Sequence, residues 1–162
     1  MIHEVSGDIL LSKAQAIAHG VAPNEHFEHG LALVLREKWP QMAKDYRHYA
    51  NQTHPRSGEI WAWGGFGTRI VNLLTHEGSF DHGGKPGKAT LANVRHCLKR
   101  LRHWLEAEKV NSLAIPKLGT GVGGLHWEDV EPIVQEYLSD LSTPVFVYTT
   151  YHPNQQGAEK GL

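Results

Sequence analysis

The stretch Leu113-Ala114-Ile115-Pro116-Lys117-Leu118-Gly119-Thr120-Gly121-Val122-Gly123-Gly124-Leu125-His126-Trp127 decides how this chain folds. Leu113 to Ile115 read as the end of a buried strand. Four glycines follow between Gly119 and Gly124, and Glu128 to Leu141 read as a helix with acids in its first turn. A strand, a glycine loop and a helix in that order aim backbone N–H groups at an anion. Glycine allows the backbone angles and close approaches that a Cβ would block. A phosphate or diphosphate is the expected guest, because open α/β sheets hold ligands beyond the carboxyl ends of their strands.

Working outward, the spacing predicts further strands at Ile2–Val5, Ala16–His19, Ser57–Trp63, Thr68–Thr75 and Pro144–Thr149. Gly64 to Gly67 join the third and fourth as an antiparallel hairpin, so the sheet is expected to be mixed. Helical periodicity starts at Gly30 and continues through Trp39, Met42, Ala43 and Tyr46, with Pro40 a candidate break. A second helix spans Ala89–Ala107, with Leu91, Val94, Leu98, Leu101 and Leu105 on one face. Pro132 argues that the last helix starts late or is locally irregular. The resulting order is β, β, α, β-hairpin, α, β, α, β: a three-layer α/β/α domain around a mixed six-stranded sheet. The domain is expected over residues 1–153, with residues 154–162 as a polar, frayed tail.

Composition narrows the function. The 162 residues are 40% hydrophobic, enough for one domain with a real core, and 16 Lys+Arg against 17 Asp+Glu leave a net charge of -1. No basic stripe of the kind that holds duplex nucleic acid is visible. Cys97 is the only cysteine, so no internal disulfide forms, and its place beside an apolar stripe reads as a small buried hydrophobe. No apolar run reaches the ~18 residues of a membrane span, and the opening Met1-Ile2-His3-Glu4 does not resemble a secretion signal. A cytoplasmic monomer is the expectation. The 12 histidines lack the i, i+4 pairing of a hydrolytic zinc helix, and no motif calls for a metal.

The loops after His19, Thr75, Pro116 and Thr149 all follow strands. If those strand ends share an edge, the loops converge on a cleft with a glycine nest, a carboxylate at Asp8 and aromatics at Phe80, Tyr148 or Tyr151. Asp8 reads equally as a turn or cap residue. The 76–88 loop, rich in Gly, His and Lys, is a candidate lid. No Walker loop or first-strand dinucleotide fingerprint is present. Candidate polar helpers for chemistry are His19, Asn24, His76 and Glu77, and a histidine can act as a base near neutral pH.

Gly7-Asp8-Ile9, Ala18-His19-Gly20, Gly30-Leu31-Ala32, Arg69-Ile70-Val71-Asn72-Leu73 and the Ile115–Trp127 block together resemble a macrodomain, the ADP-ribose-binding fold, over nearly the whole chain. The resemblance is to the branch holding the terminal ADP-ribose–protein glycohydrolase and the antitoxin macrodomain that reverses DNA ADP-ribosylation. It implies that Asp8 and the Ile9 amide meet the adenine, and that Gly119, Thr120, Gly121, Val122 and Gly123 hold phosphate oxygens. It implies further that Gly30 and Leu31 cover the other side of the diphosphate, with His19 nearby, and that Tyr148 or Tyr151 lies against the adenine or its ribose. In the terminal glycohydrolase a lysine after the fourth strand forms a covalent adduct, assisted by an aspartate in the glycine loop. Here His76 and Glu77 follow Thr75, and Gly123 takes the aspartate's position. The expectation is therefore a hydrolase removing mono-ADP-ribose from Glu or Asp esters of a modified protein by water attack. A non-catalytic ADP-ribose-binding reader and a hydrolase acting on ADP-ribosylated nucleic acid are the alternatives. No cofactor is expected beyond ADP-ribose as ligand or product, and no membrane partner.

Overall fold

The computed structural model describes residues 1–65, 67–81 and 84–162. Phe66, in the expected hairpin turn, and His82 and Gly83, in the expected lid, lie outside the described residues. The elements run β1 (Ile2–Gly7), a short 3-10 turn (Ile9–Leu11), β2 (Ala16–Gly20), α1 (Gly30–Lys38), α2 (Pro40–Thr53), β3 (Ile60–Trp63), β4 (Arg69–Leu73), α3 (Leu91–Ala107), β5 (Leu113–Pro116), α4 (Trp127–Leu138) and β6 (Val145–Tyr151).

The six strands lie in the order β1-β6-β5-β2-β4-β3. All neighbours pair parallel except the hairpin β3–β4. Side chains alternate between faces along each strand, and this alternation divides the core in two. Ala16, Ala18, Val71, Leu73, Leu113, Ile115, Val145 and Val147 face α3 and α4. Ile17, Ile70, Ala114, Phe146 and Tyr148 face α1 and α2. Both faces are covered, so the strands read as continuous apolar runs. The fold is the three-layer α/β/α arrangement with a mixed six-stranded sheet.

Element ends follow local chemistry. Pro40 opens α2 at its first turn, where its missing N–H costs nothing, and so divides the first helical segment at Trp39. Thr90 caps α3 by accepting a hydrogen bond from the Asn93 amide at 3.1 Å. The last helix starts earlier than expected. It begins at Trp127, carries Glu128 and Asp129 in its first turn, and runs through Pro132. Buried Val130, Ile133, Val134 and Leu138 pack that helix on the sheet, and this packing overrides the local cost of the proline.

The C-terminal segment is not frayed. Gly157 and Glu159 are buried, and Gln155, Gln156 and Glu159 bond back to the first strand and its following turn. Among the described residues no helix is long and apolar enough to cross a membrane.

Candidate functional site

A cleft of about 840 Å³ opens where β2, β5 and β6 end. Its first wall is the glycine loop. Gly119 has φ +71°, which lets the chain turn back so that the Leu125 amide donates to the Gly119 carbonyl at 2.9 Å. The amides of Gly121, Val122 and Gly123 donate to no acceptor among the described residues. Behind the loop, the Ala89 amide donates to the Gly123 carbonyl at 3.0 Å and ties the nest to the start of α3.

The opposite wall is the N-terminus of α1. Gly30 enters the helix at φ +57°, and His29 provides no side-chain cap. The first-turn N–H groups are thus left for a ligand, with the positive end of the helix dipole behind them. The loop before α1 is held firmly. The Glu25 carboxylate accepts from the amides of Ala22 and Phe27, each at 3.0 Å. Buried Phe27 packs edge-on against Tyr46, whose hydroxyl donates to the Ala22 carbonyl at 2.9 Å.

His19 and His76 belong to the lining between these walls. His19 is 1% exposed, and burial depresses its pKa to about 4; the hydrogen bond with Asn72 offsets this in part, and nearby His76 adds to it. Burial also pulls His76 below its ordinary value, against the opposing pull of Glu25 and a backbone bond to Val21. The His76 ring nitrogen Nδ1 lies 2.9 Å from the Thr75 hydroxyl. Both imidazoles are neutral at physiological pH and can accept a proton. Tyr148 and Tyr151 close the far end; Tyr148 is buried, whereas Tyr151 is 62% exposed.

The structure therefore brings together His19, His76, Gly30, Leu31, Gly119, Thr120, Gly121, Val122, Gly123, Tyr148 and Tyr151. It leaves other candidates outside the lining. Asp8 is 5% exposed, and its carboxylate accepts from the amides of Leu10 and Asn154, each at 3.0 Å, so it serves as a cap with Ile9 beside it in the 3-10 turn. Asn24 donates to the Gly84 carbonyl at 3.1 Å. Glu77 turns away from the cleft and accepts from Asn93 and Ser57. Phe80 stacks on His54 with ring centroids 4.4 Å apart, also outside the cleft.

The two ends of the 76–88 loop pair with each other. His76 bridges to Ala89, and the Glu77 amide donates to the Lys88 carbonyl at 2.8 Å. This return sets Lys85 and Pro86 in the lining, where Lys117 is the second lysine. Sequence reading missed Lys117, although it adjoins the glycine loop. Among the described residues no group of three or more His, Cys, Asp or Glu side chains could hold a metal ion.

Two rows of backbone amides lining one cleft at the carboxyl ends of parallel strands define a binding domain for an anionic, nucleotide-like ligand. The chain belongs to the Macro domain family, whose model matches residues 11–134, and membership supports ADP-ribose binding or hydrolysis in the broad sense. It is 25% identical to human ADP-ribose glycohydrolase OARD1 over 146 residues, 90% of this chain and 89% of that protein. It is 30% identical to the Mycobacterium tuberculosis DNA ADP-ribosyl glycohydrolase over 135 residues, 81% of this chain and 37% of that protein. In structure it is similar to the macrodomain of Mycobacterium tuberculosis DarG, with a TM-score of 0.81, 26% identity and coverage of 93% of this chain and 99% of that one. The chain is thus related to both glycohydrolase types.

Proposed function

We propose that this protein is a mono-ADP-ribosyl hydrolase that cleaves the ester between ADP-ribose and a Glu or Asp side chain of a modified protein. The observation that carries the reading is that two amide rows, Gly121–Gly123 and the first turn of α1, line one cleft together with His19 and His76. The amide rows would fix the diphosphate and so position the terminal ribose. Water attacks the anomeric carbon, its proton passes to His76, and the C–O bond breaks with the carboxylate leaving as an anion. A carboxylate needs no proton from an acid to depart; of the two lining carboxylates Glu25 is engaged by backbone amides, and Glu28 is exposed just before α1. His19 would support the reaction from beneath, joined to Asn72 at 2.7 Å.

A second reading has a specific observation behind it. The relatives include a DNA ADP-ribosyl glycohydrolase, and Lys85 and Lys117 line the cleft, where they could meet a nucleic-acid phosphate. A reader without turnover is the third.

Release of ADP-ribose from a glutamate-modified protein and from an ADP-ribosylated oligonucleotide, measured beside calorimetric titration of free ADP-ribose, separates the three. Release from protein alone supports the proposal. Release from the oligonucleotide alone replaces it with the second reading, and binding without release makes the chain a reader.

A further inference from the structure

The cleft crosses the strand ends in the order of the sheet. Tyr148 and Tyr151 come from β6, the glycine loop follows β5, His19 stands near the end of β2, and His76 follows β4. Donors are plentiful along it: the amides of Gly121–Gly123, the first turn of α1 and the ammonium groups of Lys85 and Lys117 all seek an acceptor. His19 has the opposite character. Its ring is buried in the lining, and Nδ1 has no hydrogen-bond partner among the described residues. Gly20 follows it, and a Cβ there would stand 2.5 Å from the Thr75 Oγ1 and 3.3 Å from the His76 Cε1. The missing Cβ lets the His76 ring settle against β2, so both imidazoles share the end of the cleft away from the tyrosines.

Three neighbouring strands decide what that nitrogen is. On the edge strand β3 the Trp61 carbonyl accepts from Asn72 Nδ2 at 3.4 Å, and on β4 the Asn72 oxygen meets His19 Nε2 at 2.7 Å. Trp61 and Asn72 are register partners, and so are Asn72 and His19, so strand pairing sets both spacings. Turning the carboxamide over would bring its oxygen against the Trp61 carbonyl, two acceptors with no hydrogen between them. Asn72 thus accepts, Nε2 carries the hydrogen, and Nδ1 keeps a lone pair. Burial holds the ring neutral, with a pKa of about 4, so the lone pair persists at physiological pH. A buried acceptor left without a donor costs free energy that an incoming donor recovers. Phosphate oxygens and carbonyls bring no hydrogen, whereas a hydroxyl does.

We propose that Asn72 is a positioning residue that holds His19 as a fixed acceptor in the cleft wall, and that His19 Nδ1 takes the hydrogen of a ribose hydroxyl at the His76 end of the bound ligand. This rests on the reading that the ligand is an ADP-ribose whose terminal ribose reaches His76. Its consequence is selection among ligands that share one diphosphate. The amide rows hold any of them, and the acceptor favours the one that brings a free hydroxyl to the far side of the glycine loop.

The test follows the ring nitrogens of His19 by NMR in the full chain carrying isotope-labelled histidine, at neutral pH, as ADP-ribose is added and, separately, ADP, which has the diphosphate without the terminal ribose. The expected result is a protonated Nε2 and a bare Nδ1, with the Nδ1 signal moved by ADP-ribose and left in place by ADP. Calorimetric titration of His19→Phe, which removes the acceptor, and of Asn72→Leu, which frees the tautomer, should show ADP-ribose bound about tenfold more weakly and ADP within about twofold of the parent. The labelled full chain decides the matter even if neither variant folds. A protonated Nδ1, an Nδ1 signal that ADP moves equally, or an ADP-ribose affinity unchanged in folded His19→Phe overturns the acceptor, and release of ADP-ribose from a glutamate-modified protein by the same sample leaves the functional reading standing. The Nδ1 shift without release removes the hydrolase reading and keeps the acceptor. No binding of ADP-ribose by the full chain overturns both.

Discussion

His19 and Asn72 are register partners on β2 and β4, and the Nε2–H of His19 donates to the Asn72 side-chain oxygen at 2.7 Å. The direction follows from the amide, whose nitrogen faces the Trp61 carbonyl at 3.4 Å and the Met42 sulfur at 3.8 Å. Asn72 thereby fixes the tautomer and leaves His19 Nδ1 as an acceptor without a partner among the described residues.

This pair makes stability depend on pH. The unfolded histidine has a pKa of about 6.5 and the folded one about 4, so between these values the unfolded chain binds the proton first. Stability owed to His19 is complete above about pH 6.5 and falls as the pH drops toward 4, by an amount on the order of 3 kcal/mol. Urea midpoints at pH 4.5 and 7.5 should show the loss, and His19→Gln should shrink it. An identical loss in the variant would place the proton elsewhere.

The glycine loop separates binding from folding. A Cβ at Gly121 meets nothing within 4 Å, whereas one at Gly123 would stand 2.5 Å from the Gly119 carbonyl oxygen and 2.9 Å from the Ala89 Cβ. Gly121→Phe should weaken ADP-ribose binding by about tenfold or more while thermal unfolding stays within about 2 °C of the parent, since a side chain there obstructs ligand and not protein. Gly123→Ala should lose about 1–3 kcal/mol of stability through overpacking. Thermal melts of the two variants beside titrations give the comparison.

Turnover should follow His76 rather than its neighbour. Replacing the proposed base by His76→Gln should lower the rate of ADP-ribose release by about 10²–10⁴, with binding largely retained. Glu77→Gln removes charge from a carboxylate that accepts from Asn93 and Ser57, so its effect should fall on stability, by about 1 kcal/mol. Equal loss of rate in both variants would show that Glu77 reaches the reacting atoms.

Burial raises the pKa of the Cys97 thiol to about 12, partly countered by Arg100 and backbone amides. Iodoacetamide at pH 8 should leave the native protein unlabelled and modify it completely in denaturant, making alkylation a direct reading of opening beneath α3. Rapid native labelling would contradict that packing.

The architecture was legible because the chain's signals agree with one another. The apolar run before Pro116, the spaced glycines after it and the leucines of α3 all fit the same layered sheet. The site was legible where function needs backbone, as at Gly119–Gly123. It was less so where side-chain direction decides. Glu77 sits beside His76 in sequence, yet consecutive side chains of extended backbone point apart, and only one faces the cleft. The docking of the C-terminal segment gave no signal, because its hold consists of Gly157 and Glu159 meeting Val5, Ser12 and Tyr148. No apolar pattern marks such a segment, and its polar composition matches that of a loose tail. The cap role of Asp8 shows the same thing, since one of the amides it accepts from belongs to Asn154, at the other end of the chain.

Pairing of Ile2 with Val145 also dictates an order of assembly. β2 pairs with β4 and β5, both made before β6, whereas β1 must wait for β6, the last strand made. Closing so long a loop is entropically slow. Until β6 arrives, β5 presents a bare parallel edge, the kind of surface on which partly made chains stick to one another. The C-terminal segment can seat only after β1 and β6 have met, so the tyrosine end of the cleft is finished last, and a nascent chain has its glycine loop well before it has a complete cleft.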